Sequence, residues 1–555
     1  MRRVAAAVAA AALVLLLSAC AGLPTTGAVN PGRSPVDVEA DPDIRFIPDS
    51  PQPDASPEEI VSGFIRAGSG SQDGWATARQ FLTESFAPEW NPLATVTIDR
   101  LTDRSAPTTP VDGVSTVEVT PTGIVDAEGA YQPQNGGVAT LSFALTEENG
   151  QWRIADAPDG IVLFEEQFRS VFRSASLAYF DPLWQYLVPD VRWFPRTNSA
   201  TYITRALVDG APSPWLDGSV ATAFPEDVGA ATRAVTVSEG VAQVDLDGSA
   251  LSLGQTTLDR MQAQLESSLR SPDITGVQMT ANGSPLQARA AATVSTRVDA
   301  QSLVELTDGP FGFLDGDSVE AVDGLSPAVE SVDAVAVQTT ADLELAAIRT
   351  ATGAVVRAAA DGTTALLDQR PGLLSPTIDP FGMVWAVPEG DPAAVRAYAP
   401  GGGTIDVAGA WPGATGISAM QVSRDGARIA ATVTVRGHTE LWVAGIRRTS
   451  DGAGITLGEP HVVAVLGGEG AGLAWLDEIT LGVLLRAGGD ASLREQPVGG
   501  PGTDLTIPAG VSSVAGGNSS ARLLTDGGIL YVRQGPTWQQ LASEVRVLAV
   551  QQGMP

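Results

Sequence analysis

Ser375-Pro-Thr-Ile-Asp-Pro-Phe-Gly-Met-Val-Trp385, Ser418-Ala-Met-Gln-Val-Ser-Arg-Asp-Gly-Ala-Arg-Ile429, Gly472-Leu-Ala-Trp-Leu-Asp-Glu-Ile-Thr-Leu481 and Val514-Ala-Gly-Gly-Asn518 are versions of one phrase. Each is an apolar strand, a turn on Asp or Asn, and the start of a second strand. The turn residues Asp379, Asp425, Asp477 and Asn518 lie 46, 52 and 41 residues apart. That period suits four-stranded propeller blades of roughly 40 to 50 residues. A blade cannot bury both faces alone, so residues 309–555 are expected to close into an all-β propeller of about five or six blades.

Upstream of the repeat the pattern changes. Ser56-Pro-Glu-Glu59 carries a capping residue, proline at the first helical position and Glu at the capping-box position, and it opens a helix with Ile60, Val61, Phe64 and Ile65 on one face. A second helix is expected over Gly74 to Phe81. Short β-rich runs follow at Thr95–Ile98, Val114–Val119, Val138–Leu145 and Trp152–Ile154, so residues 56–165 form an α+β domain. Residues 180–300 read as a second α+β domain. There Ser199 caps a helix bearing Ile203, Ala206 and Leu207, and Val235–Leu246 folds as a hairpin about Glu239-Gly240. Leu258, Met261, Leu265 and Leu269 recur at helical spacing, and Val277–Thr280 ends at Asn282-Gly283.

The N-terminus reads as an export signal: Arg2 and Arg3, an apolar run from Val4 to Leu17, then Leu17-Ser-Ala-Cys20. At about 1.5 Å per residue the run spans roughly 21 Å, short of a 30 Å hydrocarbon core, which fits a cleaved peptide of residues 1–19 better than a permanent span. Leu-Ser-Ala-Cys is similar to the lipobox of bacterial lipoproteins, in which the cysteine takes a diacylglyceryl thioether and becomes the first mature residue. Cys20 is the one cysteine of 555 residues and is the expected lipidation site; two or three acyl chains, palmitate among them, would hold the chain stably on a bilayer. Residues 20–55, rich in Pro, Gly, Ser, Thr and Asp, form a tether.

Composition narrows the chemistry. The formal net charge is −31 with 64 acidic and 33 basic residues, which disfavours nucleic acid as a partner. All the basic residues are arginine, so P-loop, kinase-type, Ser-x-x-Lys and Schiff-base lysine chemistries are closed. Only His438 and His461 supply imidazole, and a Cys/His zinc site lacks ligands. The chain is therefore read as not an enzyme, with no catalytic residues, no metal and no cofactor. Asp245-Leu-Asp-Gly248 and Asp315-Gly-Asp317 lack EF-hand spacing and read as solvated turns rather than calcium loops. The aromatic cluster around Trp184, Tyr186, Trp193 and Phe194 is open to two readings, a recognition surface or packing between domains.

Three resemblances follow from these residues. Leu141-Ser-Phe-Ala-Leu-Thr-Glu-Glu-Asn-Gly-Gln-Trp-Arg-Ile154 is similar to the closing hairpin of nuclear-transport-factor-2-like and cystatin-like domains. Gly240-Val-Ala-Gln-Val-Asp-Leu246 with the Met261–Leu265 helix resembles the germination and sporulation domain GerMN. With Trp75-Ala-Thr-Ala-Arg-Gln-Phe-Leu-Thr83, Leu187-Val-Pro-Asp-Val-Arg-Trp-Phe-Pro195 and Leu207-Val-Asp-Gly-Ala-Pro-Ser-Pro-Trp-Leu216, the whole order resembles the LpqB lipoprotein family of actinobacteria. That resemblance implies a lipid-anchored protein on the extracytoplasmic face of the cell membrane. It also implies an accessory that binds the extracytoplasmic domain of the sensor histidine kinase of the Mtr two-component system, in envelope homeostasis and division. A module that binds cell-wall peptidoglycan or glycan is the alternative.

Overall fold

A computed structural model describes residues 48–231, 234–449 and 452–553, all of which belong to one packed unit. The capping box at Ser56 is formed: Glu59 N–H donates to Ser56 Oγ (3.2 Å) and Ser56 N–H to Glu59 Oε2 (2.7 Å), and the helix spans Pro57–Ala67. The helix expected over Gly74–Phe81 is a single turn, Ala76–Arg79, behind a 3-10 turn at Gln72–Gly74. The reason is local. Asp73 and Trp75 sit at φ 49° and 60°, which turns the Trp75 indole inward to donate to Gly68 O at 2.8 Å. The strands divide between two sheets. One holds Thr95–Asp99, Pro121–Asp126, Tyr131–Pro133 and Ile161–Phe164; the other holds Val114–Val119, Ala139–Glu148 and Gln151–Asp156. The core between them includes Ile60, Phe64, Trp90, Phe143 and Ile154.

A short helix, Glu165–Val171, leads directly into a long hairpin, Phe172–Phe180 with Leu187–Pro195. The second domain thus begins before residue 180, because its first strand is the extension of that helix. Asp181 closes the hairpin by accepting from the N–H groups of Leu183, Gln185 and Tyr186. The helix expected near Ser199 spans Ser199–Val208, but Asn198, at φ 59°, occupies the cap position and Ser199 is already helical. Thr236–Ser238, Val241–Leu246, Gly276–Ala281 and Ser284–Pro285 form one sheet. Its two central strands are parallel and joined through the helix Gln255–Leu269. Inside that helix Gln264 donates to Ala178 O (2.7 Å) and Ser268 Oγ accepts from Ala178 N–H (2.9 Å). These bonds satisfy buried polar groups and fix helix to hairpin.

Among the described residues the repeat region builds six sheets in a ring. The first propeller strand is Leu303–Leu306, ahead of residue 309, because Asp308-Gly309 lies in the turn to its partner Phe311–Asp315. The blades continue through Ala334–Asp368, Thr377–Asp406, Gly416–Leu466, Glu469–Thr506 and Val511–Ala542. Closure is double. Val545–Leu548 pairs antiparallel with Leu303–Leu306, and Val550–Gln551 adds parallel to Ala334–Thr339 of the next blade. Each turn residue of the repeat links the innermost strand of its blade to the second. Asp379 accepts from Phe381 and Met383 N–H, Asp425 from Ala427 N–H, and Asp477 from Ile479 and Thr480 N–H. A further member, Asp342, accepts from Glu344 N–H (3.1 Å).

Candidate functional site

The sequence stretches singled out above, Leu187–Pro195 and Leu207–Leu216, meet at a junction of all three domains. The strand Leu187–Pro195 is its wall, and other domains approach its backbone where they have no side chain. Gly129, at φ 87°, accepts through its carbonyl from Trp193 N–H (2.8 Å), and a Cβ there would stand 2.8 Å from Trp193 O. Gly499 of the propeller, at φ 93°, accepts from Trp193 Nε1 (2.8 Å), and its Cβ would stand 2.9 Å from Val191 O. Only glycine fits such approaches.

Two adjoining hollows of about 260 and 530 Å³ open along this wall and share Asp126, Ala130, Ser213 and Pro214. At their back sits a buried ion pair. Asp190 Oδ2 accepts from Arg192 Nε (3.2 Å), Arg192 Nη2 (2.8 Å) and Ser213 N–H (2.8 Å), and Oδ1 from Ser213 Oγ (2.7 Å). Arg192 also donates to Ala211 O and, across the domain boundary, to Glu128 O. Burial pulls its guanidinium down, but the charge and hydrogen bonds of Asp190 outweigh this and hold it above its ordinary value. On the propeller side His461 lies 6.0 Å from Trp215, ring stacked on ring. Burial pushes the imidazole below its ordinary value, with Asp190 acting in the opposite sense. Desolvation raises the Asp126 carboxyl, against hydrogen bonds from Ala130 and Glu128 N–H.

Ser213, Asp190 and His461 share the smaller hollow but are not wired as a nucleophile triad. Ser213 Oγ donates to the carboxylate, so no imidazole accepts its proton. The arrangement binds domains together; its charges are spent on one another and on backbone carbonyls.

Each aromatic candidate has a place at or near this joint. Tyr186 is buried and meets Phe381 of the propeller edge-on at 6.4 Å. Trp193 contacts Phe168 of the N-terminal side at 4.5 Å and bonds the propeller at Gly499. Phe194 is buried in the core of the second domain. Trp184 is half-buried beneath the Arg260 guanidinium, 3.9 Å from the ring centroid. Their placement is that of packing rather than of a free recognition face. Cys20 lies outside the described residues. In the first of the two Asp-rich turns the carboxylates act locally: Asp245 Oδ1 accepts from Thr280 Oγ1 and Gly283 N–H, and Asp247 from Ser249 and Gly229 N–H. Among the described residues no group of three or more His, Cys, Asp and Glu is placed to hold a metal, and no helix is long and apolar enough to cross a membrane.

Beyond the strand, the segment between the second domain and the propeller is clamped along the rim that carries the Asp turns. Asn518 accepts from Val298 N–H (2.9 Å) and donates to Val298 O (2.7 Å). Arg522 donates to Asp299 O and Ala300 O, and Arg424 to Thr296 O. An amide supplies both donor and acceptor, which explains Asn where the other blades have Asp.

Comparison with known proteins gives the same three-part order. Residues 50–169 match the family model described as Lipoprotein LpqB, N-terminal domain. Residues 177–287 match Germane, described as Sporulation and spore germination, and 302–547 match the Lipoprotein LpqB beta-propeller domain. A Lipoprotein LpqB of Streptomyces avermitilis is 27% identical over 600 aligned residues, covering 96% of this chain and 95% of that protein. Those of Thermobifida fusca and Cutibacterium acnes are 34% and 29% identical, over 47% and 51% of this chain. The chain spans about half the length of these last two, 44% and 48%. Among solved structures, TolB from Acinetobacter baumannii aligns at 14% identity with a TM-score of 0.33, over 45% of this chain and 66% of that one.

Proposed function

We propose, from the premise that the chain belongs to the LpqB lipoprotein family, that it is an accessory of a membrane-embedded sensor histidine kinase of the Mtr two-component type. Anchored through Cys20 on the extracytoplasmic face, it binds the kinase's sensor domain and tunes its output without chemistry of its own. The observation that carries this reading is the three-domain joint, in which the polar groups that could have formed a reacting centre are consumed in holding the domains as one body. Such a body presents a preformed surface, and a preformed surface binds with little ordering cost. With a net charge of −31, association with a basic sensor surface is steered electrostatically and weakens with salt, as the Debye length falls from about 10 Å at 0.1 M to about 3 Å at 1 M.

Crosslinking in intact cells tests the proposal. A predominant adduct with a sensor kinase, lost as salt rises, is expected. Retention by isolated cell wall with no kinase adduct would overturn it in favour of a peptidoglycan- or glycan-binding role.

A further inference from the structure

The rim of the propeller that bears Asp379, Asp425 and Asp477 is engaged by the hairpin and the Thr296–Ala300 segment. Between the innermost strands runs a cavity of about 460 Å³, lined at one end by their opening residues, Val335, Ser418, Ala471, Ser512 and Arg546 among them, and towards the other by Gln338 and Gln421. That volume lies within the roughly 300–1,000 Å³ of small-ligand sites.

One group in its wall is left without a counterpart. Elsewhere in the propeller half-buried or buried arginines are matched: Arg370 with Asp368, Arg448 with Asp379, Arg357 with Ala399 O. Arg546, which lines the same cavity, is held by Glu305 and Asp333. Arg349 is half-buried, its Nε is shielded from solvent with no acceptor, and among the described residues it forms no ion pair. Ser512 and Ser513 line the cavity with it. A guanidinium fork in a cavity that hydroxyls also line suits a planar carboxylate. Charge selects a monoanion. Arg349 is the single cation there not already neutralised, and Glu389 at the same mouth opposes a doubly charged phosphate.

We propose that the channel mouth of the propeller is a binding site for a small carboxylate-bearing ligand, received by Arg349 together with the hydroxyls that line the cavity. The site is independent of the kinase-binding role. None of the residues that line the hollows of the joint lines this cavity.

Calorimetric titration of the full lipidated chain in detergent micelles tests it, with four probes: tri-alanine, its C-terminal amide, glucuronate and glucose. Saturable binding of tri-alanine or glucuronate is expected, with the matching neutral probe weaker by about ten- to a hundredfold. Which acid binds more tightly separates a peptide terminus from an acidic sugar as the source. Arg349→Gln should abolish the difference between acid and neutral probe, while Arg436→Gln, an exposed arginine, leaves it intact. Because Arg349 makes no internal ion pair, Arg349→Gln should melt with the wild type and lose only the ligand-induced rise in melting temperature. Arg349→Lys, which keeps the charge without the fork, should fall between the two and serves as the readout if the glutamine variant does not fold. Equal affinity for acid and neutral probes, absence of saturable binding, or full affinity in Arg349→Gln and Arg349→Lys would each overturn the proposal.

Discussion

Replacing Arg192 by Met is the sharpest probe of the joint. The side chains of Arg192 and Asp190 are 5% and 2% exposed, so the substitution leaves a carboxylate in the interior without its cation. Breaking a buried pair from one side costs about 3–5 kcal/mol. Asp190 keeps the two hydrogen bonds from Ser213, which places the cost at the lower end, about 3 kcal/mol. The carbonyls of Ala211 and Glu128 also lose their donor, so the loop and the N-terminal turn should loosen together. Hydrogen exchange reads this directly: the opening free energy of peptides covering residues 187–195 and 209–215 should fall by about 3 kcal/mol, with little change in the far blades. Adding Asp190→Asn removes the stranded charge while keeping an acceptor for Ser213, and should restore the opening energy to within about 1 kcal/mol of wild type. If Arg192→Met costs under about 1 kcal/mol, or if the double variant is no better than the single, the pair is not what holds the joint.

Other outcomes are expected from the same residues. Cys20→Ala should move the protein from the membrane fraction to the medium or to uncleaved precursor; correct processing with continued membrane retention would contradict the lipid anchor. Gly129→Ala places a Cβ against Trp193 O at positive φ and should cost about 1–3 kcal/mol, seen as faster exchange of the hairpin, whereas Gly150→Ala, open to space, should not affect the joint. His461 is held below its ordinary value of 6.5 by burial. Just below that pH the unfolded chain therefore binds the proton that the folded chain refuses, and this group's share of the stability falls as pH drops from 6.5 toward the folded value. Relative to His461→Gln, wild type should lose stability in that window and run parallel above it; parallel curves throughout would exclude the effect.

What could be read in the sequence was what repeats or what is local. The Asp turns were legible because each closes on amides within five residues, and the Ser56 capping box because its partners are three apart. Asp342 escaped, since Thr340-Ala-Asp-Leu-Glu344 lacks the apolar phrase around it, and the first blade escaped because its inner strand arrives from the far end of the chain. Trp75 reversed the expected helix through a left-handed backbone that propensity does not register. The joint was illegible for a different reason. Trp193 and Gly499 are separated by 306 residues, and nothing in Asp-Val-Arg within an extended run distinguishes a buried clamp from a solvated face. Arg349 gave no signal at all, because what marks it is the lack of a partner.

The exclusive use of arginine has a structural reason. Arg424 donates to the carbonyls of Trp475 and Gly517, Arg522 to those of Asp299 and Ala300, and Arg428 to Asp425 and to Glu478 O. A planar fork satisfies two acceptors on different segments at once, which a single ammonium does less well. Burial lowers Arg424 and Arg522 only to about 10, so both stay charged at neutral pH while stitching turns to the rim. A lysine so buried would move toward neutrality and weaken those bonds. The interior takes up acids as well: Asp99, Asp181, Asp190, Glu305, Asp368, Asp379 and Asp425 are buried beside Arg192, Arg424, Arg428 and Arg522, so the acidic excess of 64 over 33 is carried on the solvent-facing surface in nearly the same ratio. Against buried arginines that all have acceptors, an uncommitted guanidinium at Arg349 is conspicuous.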